Sequence, residues 1–200
     1  MKKRGFTIIE LMLVIAIIAV LMTIVVSAAK GAIVASRQRR AESLASIIRT
    51  GISAYRSQMD KWPEPLGGRV AANNFSGCHQ RRKGWMGEVI PNLKVLPMEE
   101  SHQVIRELVR QAHDGNPVVD ISGLYVSRSK GRKSDRDHGM DFLDAIRGTK
   151  QSRKKMKMNE MNFGFPDADG YFRYFAITYD TATDDIGVDI WDYNIFNMQE

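Results

Sequence analysis

The most prominent pattern in the chain is a long, almost uninterrupted run of apolar residues. From Phe6 to Ala29 the sequence FTIIELMLVIAIIAVLMTIVVSAA contains a single charged residue, Glu10. As a helix this run would span about 36 Å, which exceeds the roughly 30 Å hydrocarbon core of a bilayer. The pattern predicts a membrane-spanning helix. A carboxylate inside such a helix costs roughly 2.5–3.5 kcal/mol, so Glu10 should have a partner or a task.

The helical pattern continues beyond the apolar run with one apolar face. Apolar residues recur at three- to four-residue steps and arginines fill other positions, which is typical of an amphipathic helix packed on a sheet. The apolar set is Leu44, Ile48, Ile52, Tyr55 and Met59. Trp62-Pro63 should end the helix, because proline disfavours helical geometry in the residue before it. The pattern predicts one helix of about 55 residues starting at Phe6.

The C-terminal part has the pattern of a β-hairpin. An aromatic-rich run with alternating positions, from Tyr171 to Tyr179, predicts a buried strand. An acidic turn at Asp180 to Asp185 and a returning strand from Ile186 to Trp191 complete the predicted hairpin.

The middle of the chain, residues 63–165, is predicted to be a variable insertion of loops and helices. The elements expected in it are a loop from Gly67 to Gly87, a helix from Pro97 to His113, one or two short strands from Val118 to Val126 and a short helix from Met140 to Arg147.

Composition narrows the classes of function. The formal net charge of +6 falls to +3 without the first five residues, which is too small to indicate nucleic-acid binding by itself. The single cysteine, Cys78, rules out an internal disulfide. The sequence shows no nucleophile elbow, no phosphate-binding loop and no His/Cys spacing typical of a zinc site, so an enzyme is not expected.

The N-terminal residues carry a resemblance to a known family. The leader KRG, followed by FTIIELMLVIAIIAVL, resembles the signal of type IV pilins and of type II secretion pseudopilins. The resemblance implies that a prepilin peptidase cuts after Gly5 and methylates Phe6. It also implies that Glu10 neutralises the N-terminal amine of a neighbouring subunit during filament growth. Many relatives carry a proline where this chain has Ser27.

The resemblance implies an α+β, type IV pilin-like fold. A long N-terminal helix would pack on a small C-terminal antiparallel sheet, with a mixed region inserted between them. The predicted parts are a leader peptide at 1–5, a transmembrane or filament-core helix at 6–29, its amphipathic continuation at 30–62, the insertion at 63–165 and a C-terminal β-hairpin region at 166–200.

The function implied by the resemblance is that of a structural subunit of a type II secretion pseudopilus, which drives export of folded proteins. The lack of a disulfide favours a pseudopilin, because many type IV pilins close their C-terminal region with one. Expected partners are further copies of the chain, other pseudopilins, the prepilin peptidase, an inner-membrane platform protein and an assembly ATPase. The chain would cross the bacterial inner membrane once, with a cytoplasmic N-terminus and a periplasmic C-terminal domain, and would assemble into a periplasm-spanning filament.

No cofactor is required, but the acidic turn has two interpretations. In type II major pseudopilins this turn binds a structural calcium ion, and Asp180, Asp184 and Asp185 would supply the oxygen ligands here. The other interpretation is a solvated turn, in which aspartates bond to the local backbone.

An alternative function is a minor type IV pilin of a DNA-uptake or attachment pilus. Basic loops would then hold nucleic-acid phosphates through charge alone. The residues that would do so are Arg147, Lys150, Arg153, Lys154, Lys155 and Lys157. Nucleic acid is not the expected partner, because aspartates interrupt the basic runs and no aromatic residues alternate with the lysines. A membrane-anchored periplasmic enzyme is a third hypothesis.

Overall fold

The computed structural model describes residues 8–82, 89–113, 123–127, 139–147, 156–166 and 172–191. The chain divides into two units, Met1–Arg39 and Arg40–Glu200. The first element, α1, is a 52-residue helix, Ile8–Met59, whose sequence runs through the boundary between the units. The helix ends just before Trp62-Pro63, as the sequence predicted.

The first unit, over its described residues, consists of the N-terminal part of α1. Its large apolar side chains are exposed, from 43% for Val14 to 78% for Ile8. The buried residues of α1 all lie in the second unit and are Ala41, Leu44, Ala45, Ile48, Gly51, Ile52 and Tyr55. Their three- to four-residue spacing places them on one face of the helix.

The second unit contains the remaining elements. In chain order they are α2 Leu66–Ala71, β1 His79–Arg82, β2 Val89–Val95, α3 Met98–His113, β3 Tyr125–Ser127, β4 Met140–Asp141, α4 Phe142–Arg147, a 3₁₀ turn at Met158–Glu160, β5 Asn162–Pro166, β6 Phe172–Asp180 and β7 Asp185–Trp191.

The seven strands form one sheet in which all described pairings are antiparallel, and β6 is its central strand. The strand β7 pairs along β6 from Tyr174 to Asp180. On the opposite edge of β6, β2 pairs with residues 178–180 and β5 with residues 172–174. The strands β5 and β6 approach closely at Gly164, where an added Cβ atom would lie 1.9 Å from the Arg173 carbonyl oxygen.

The side chains of β6 alternate between two apolar clusters. Phe175, Ile177 and Tyr179 belong to the larger cluster, which also contains the buried face of α1 and apolar residues of α3. Phe172, Tyr174 and Ala176 belong to a smaller cluster that includes Val95 of β2. Because successive side chains of a strand point to opposite faces, the two clusters lie on the two sides of the sheet.

Two polar side chains of α3 bond to the backbone of the sheet, Ser101 to β6 between its pairings with β2 and β5, and His102 to β5. The Ile177 N–H donates to the Ser101 hydroxyl (3.1 Å), while the Leu96 N–H donates to the Ile177 carbonyl (2.9 Å). The adjacent His102 is fully buried and its Nδ1 accepts a hydrogen bond from the Phe163 N–H (3.2 Å). These bonds satisfy backbone groups that would otherwise be buried without a partner.

The predicted α+β, type IV pilin-like architecture is confirmed, since a long N-terminal helix precedes a small antiparallel sheet. The helix predicted at Pro97 to His113 is α3, and the predicted hairpin is formed by β6 and β7.

The region 63–165, predicted as a variable insertion, also contributes to the sheet, because β2 and β5 from this region pair directly with β6. Two local predictions were wrong. The stretch Gly67 to Gly87 was predicted as loop, but it contains most of α2 and all of β1. Met59 was placed on the buried face, but it is 39% exposed because the helix ends there.

Candidate functional site

Glu10 lies in the first turn of α1. A carboxylate at this position interacts favourably with the positive end of the helix dipole, worth about 0.3–1 kcal/mol in water. Glu10 is exposed, as are the apolar side chains around it. Gly5 and Phe6, the predicted cleavage and methylation residues, lie outside the described residues.

The segment that follows Glu10 has the composition of a membrane-spanning helix. By length and apolar character, α1 is the one helix within the described part of the chain that could cross a membrane, a criterion that signal sequences also meet. Its exposed apolar side chains include Leu13, Ile17, Leu21 and Ile24. A surface of this kind requires a lipid or protein environment, because its exposure to water is unfavourable.

A second cluster of charged residues lies at the acidic turn between β6 and β7. Asp184, which has a positive φ of 51°, accepts hydrogen bonds from the Tyr179 hydroxyl (2.6 Å, to Oδ1) and from Arg56 Nη2 (2.5 Å, to Oδ2). The bond from Tyr179, followed by that from Arg56, lowers the pKa of Asp184. Burial, followed by the bond to Asp184, raises the pKa of Tyr179 to about 12.

Asp185 makes a similar contact with Arg49, which lies about two helical turns before Arg56 in α1. Its Oδ2 accepts a hydrogen bond from Arg49 Nη2 (2.7 Å), and its Oδ1 accepts one from the Ile186 N–H (2.8 Å). The third aspartate of the turn, Asp180, accepts a hydrogen bond from the Ala182 N–H (2.9 Å) through Oδ1. This last bond is the local backbone bond typical of aspartate in turns.

Arg56 has a further contact that fixes its position. Its guanidinium carbon lies 4.1 Å from the centre of the Trp62 ring, which is cation–π geometry. Trp62 packs edge-on against Tyr179, with ring centres 6.2 Å apart. The arginine, the tryptophan and the tyrosine therefore form one connected group around Asp184.

The predicted calcium triad of Asp180, Asp184 and Asp185 is not assembled. Within the ranges that the structure describes, no group of three His, Cys, Asp or Glu side chains could hold a metal ion. In addition, guanidinium groups already bond to Asp184 and Asp185, and a hard cation would have to displace them. In this arrangement the turn does not fit a calcium site.

The residues of the predicted nucleic-acid surface are only partly described. Arg147, in the last turn of α4, and Lys157, before the 3₁₀ turn, are both exposed. A hydrogen bond from the Met156 N–H to the Ala145 carbonyl (3.2 Å) brings their segments together. Lys150, Arg153, Lys154 and Lys155 lie outside the described residues.

Sequence reasoning missed Arg49, Arg56 and Tyr179. The two arginines were read only as the polar side of an amphipathic helix, and Tyr179 only as a strand residue. A usable signal was present, because positions seven apart lie on the same side of a helix and could face the adjacent pair Asp184 and Asp185. What the sequence did not show was that this side of α1 would lie beside the β6–β7 turn.

The comparison with known families agrees with the N-terminal geometry. Residues 1–26 match the model of the prokaryotic N-terminal methylation motif. No curated protein and no solved structure matches the chain significantly. The motif supports a type IV pilin-like protein and implies processing by a prepilin peptidase and filament assembly. The apolar N-terminal helix fits a membrane-anchored protein of this type.

Proposed function

We propose that this type IV pilin-like protein is a structural, non-catalytic subunit of a type II secretion pseudopilus, which assembles through α1 to drive export of folded proteins. The observation that carries the proposal is the exposed apolar stretch of α1 directly behind a methylation motif, with Glu10 in its first turn. In the proposed location the chain crosses the bacterial inner membrane once, with its second unit in the periplasm.

The exposed apolar stretch supports the assembly step. Fully burying one large aliphatic side chain contributes roughly 1.5–3 kcal/mol, and this stretch carries many such side chains at least 43% exposed. Lipid would cover them before assembly, and the helices of neighbouring subunits would cover them in the filament. Because lipid and protein interiors are similarly apolar, burial alone does not drive the transfer, and close packing or a polar contact between helices must favour association.

Glu10 is proposed to supply that polar contact. Cleavage after Gly5 would leave a free amine on Phe6, four residues before Glu10. An amine and a carboxylate are both poorly solvated in a membrane, and pairing them between subunits relieves both. The subunit would thus become competent for assembly only after processing.

The pseudopilin assignment is supported by the cysteine content. Cys78 is the only cysteine of the chain and is half-buried as a free thiol. Burial is the largest influence on this thiol and raises its pKa, so less of the reactive thiolate is present at neutral pH. A C-terminal disulfide loop, common in type IV pilins, is therefore not available to this chain.

The test is Glu10→Ala expressed in cells that carry the secretion system. The variant should insert and be processed, giving a mature N-terminus at methylated Phe6 by mass spectrometry, yet filaments and secretion should be lost. Thr23→Ala is a matched control, because the Thr23 hydroxyl bonds within its own helix to the Val20 carbonyl (2.7 Å). Normal filaments from Glu10→Ala would contradict the proposal. Normal secretion alongside lost filaments would contradict the export role alone.

A further inference from the structure

We infer that Arg49 and Arg56 of α1 are the built-in counter-cations of the β6–β7 turn, and that they hold the C-terminal hairpin to α1 without a bound metal ion. The inference concerns only the second unit, which contains all of these residues. It goes beyond the filament proposal and does not depend on it.

The charges of the turn require neutralisation. Asp184 and Asp185 are adjacent in sequence and Asp180 lies at the other end of the same turn. Like charges at such short separations repel, which would disfavour closure of the hairpin. Two solutions are available to a protein, a bound cation or basic side chains from a neighbouring element.

The structure uses basic side chains. Arg56 Nη2 contacts Asp184 Oδ2 at 2.5 Å and Arg49 Nη2 contacts Asp185 Oδ2 at 2.7 Å. The arginines are seven residues apart, about two helical turns, so that one side of α1 presents both to the hairpin. Each aspartate has a separate arginine, and the two pairs together connect the helix to the start of β7.

The Arg56 pair has support that an isolated surface pair lacks. Its side chains are 43% and 49% exposed, and an exposed pair held by nothing else contributes little. Here the Trp62 ring covers the guanidinium and the Tyr179 hydroxyl bonds to the second oxygen of Asp184. These contacts reduce the freedom of both partners, so less entropy is lost when the pair forms.

The arrangement also explains why a divalent cation is not needed. Each oxygen of Asp184 and Asp185 already accepts a hydrogen bond, two of the four from guanidinium groups. A calcium ion requires several free oxygens and would be repelled by the two guanidinium groups at short range. Removing the arginines would free one oxygen of each aspartate and would end the repulsion of the ion.

The test measures thermal unfolding of the full chain in detergent micelles, followed by tryptophan fluorescence, in EDTA and in millimolar calcium chloride. The wild type should melt at the same temperature in both. The variant Arg49→Ala/Arg56→Ala should melt about 3–6 °C lower in EDTA, as expected for a loss of one to two small electrostatic contributions. Calcium should restore part of that loss, because one oxygen of each carboxylate is then free and no guanidinium group repels the ion.

Two further variants separate charge from packing. Arg39→Ala, an exposed arginine of the same helix, should leave the melting temperature unchanged. Adding Asp184→Asn and Asp185→Asn to the double arginine variant should restore part of the loss by removing the repulsion.

Three results would overturn the inference. The first is a wild type stabilised by calcium by several degrees. The second is a double arginine variant as stable as Arg39→Ala. The third is a loss of stability that neither calcium nor the two asparagines reverse, since the arginines would then act by packing alone. None of these results would affect the filament proposal, because Glu10 lies in the other unit.

Discussion

Two stretches of α1 carry the same kinds of side chain in opposite environments. Ile17 in the first unit is 52% exposed, whereas Ile48 in the second unit is 1% exposed. Both are isoleucines inside one helix, so helix propensity and side-chain chemistry do not explain the difference. The second unit supplies a sheet and α3 to cover the helix, and the first unit supplies no cover within its described residues. The comparison teaches that the chain itself covers the apolar side chains of one stretch of α1, whereas those of the other stretch must be covered by lipid or by another protein.

The largest difference should appear when each of the two isoleucines is replaced by alanine in a separate variant. Ile48→Ala should lower the free energy of unfolding of the second unit by about 2–5 kcal/mol, because it removes buried methyl groups and leaves a cavity. Ile17→Ala should leave that free energy unchanged. The measurement is urea unfolding of the full chain in detergent, followed by near-ultraviolet circular dichroism. A loss above about 1 kcal/mol in Ile17→Ala would break the comparison.

Acid should destabilise the second unit while sparing the first stretch of α1. His102 is buried beside Arg106, and burial, followed by the arginine charge, lowers its pKa to about 3. An unfolded chain binds a proton at this histidine below about pH 6.5, and the folded chain does so only near pH 3, so unfolding is favoured as the pH falls between these values. The expected loss is roughly 2–3 kcal/mol at pH 4.5.

The measurement is the free energy of unfolding as a function of pH. His102→Asn is the matched variant, because its amide oxygen can accept the Phe163 N–H in place of Nδ1 and cannot titrate. It should flatten the pH dependence between about 6.5 and 3. Helicity of the apolar stretch in detergent should persist at pH 4.5. An unchanged pH dependence in His102→Asn would show that other groups cause the acid loss.

The smallest of the three effects should come from replacing a buried serine, Ser101, while an exposed serine, Ser27, serves as the control. Ser101→Ala removes the hydroxyl that accepts the buried Ile177 N–H and donates to the Leu96 carbonyl. Leaving these groups unsatisfied should cost about 1–3 kcal/mol of unfolding free energy. Ser27→Ala, in the exposed stretch of α1, should cost nothing measurable. Equal effects in the two variants would remove the distinction between the two environments.

The elements that could be predicted from the sequence are those with long local patterns. The helix α1 follows from its apolar run and its amphipathic continuation, and α3 from apolar residues on one face. The strands β2 and β5 were missed because they contain Pro91 and Gly164, respectively, which weaken a strand pattern. Their place in the sheet depends on pairing with β6, a contact between distant residues that no local pattern encodes.

The candidate sites also divide into one that a local sequence pattern reveals and others that depend on contacts between distant residues. Glu10 stands out in the sequence because a single charge in an apolar run is costly. The arginine contacts of the β6–β7 turn do not stand out, because they join residues that are 128 and 136 positions apart. The role of His102 was also missed. In the sequence it is one histidine among four, and only its burial shows that it accepts a backbone hydrogen bond.

The position of β6 also sets an order for synthesis on the ribosome. The strands β2 and β5 precede β6 in the chain, yet each needs β6 as a neighbour. The strand β5 cannot pair with it until residues 172–174 have been translated, and β2 cannot until residues 178–180 have been, whereas the apolar stretch of α1 leaves the ribosome long before. At translation rates of roughly 5–20 residues per second, the nascent chain passes several seconds with its helix complete and its sheet open. During that interval the unpaired strand edges are exposed to aggregation, so early delivery of α1 to a membrane would keep nascent chains apart while the last strands are made.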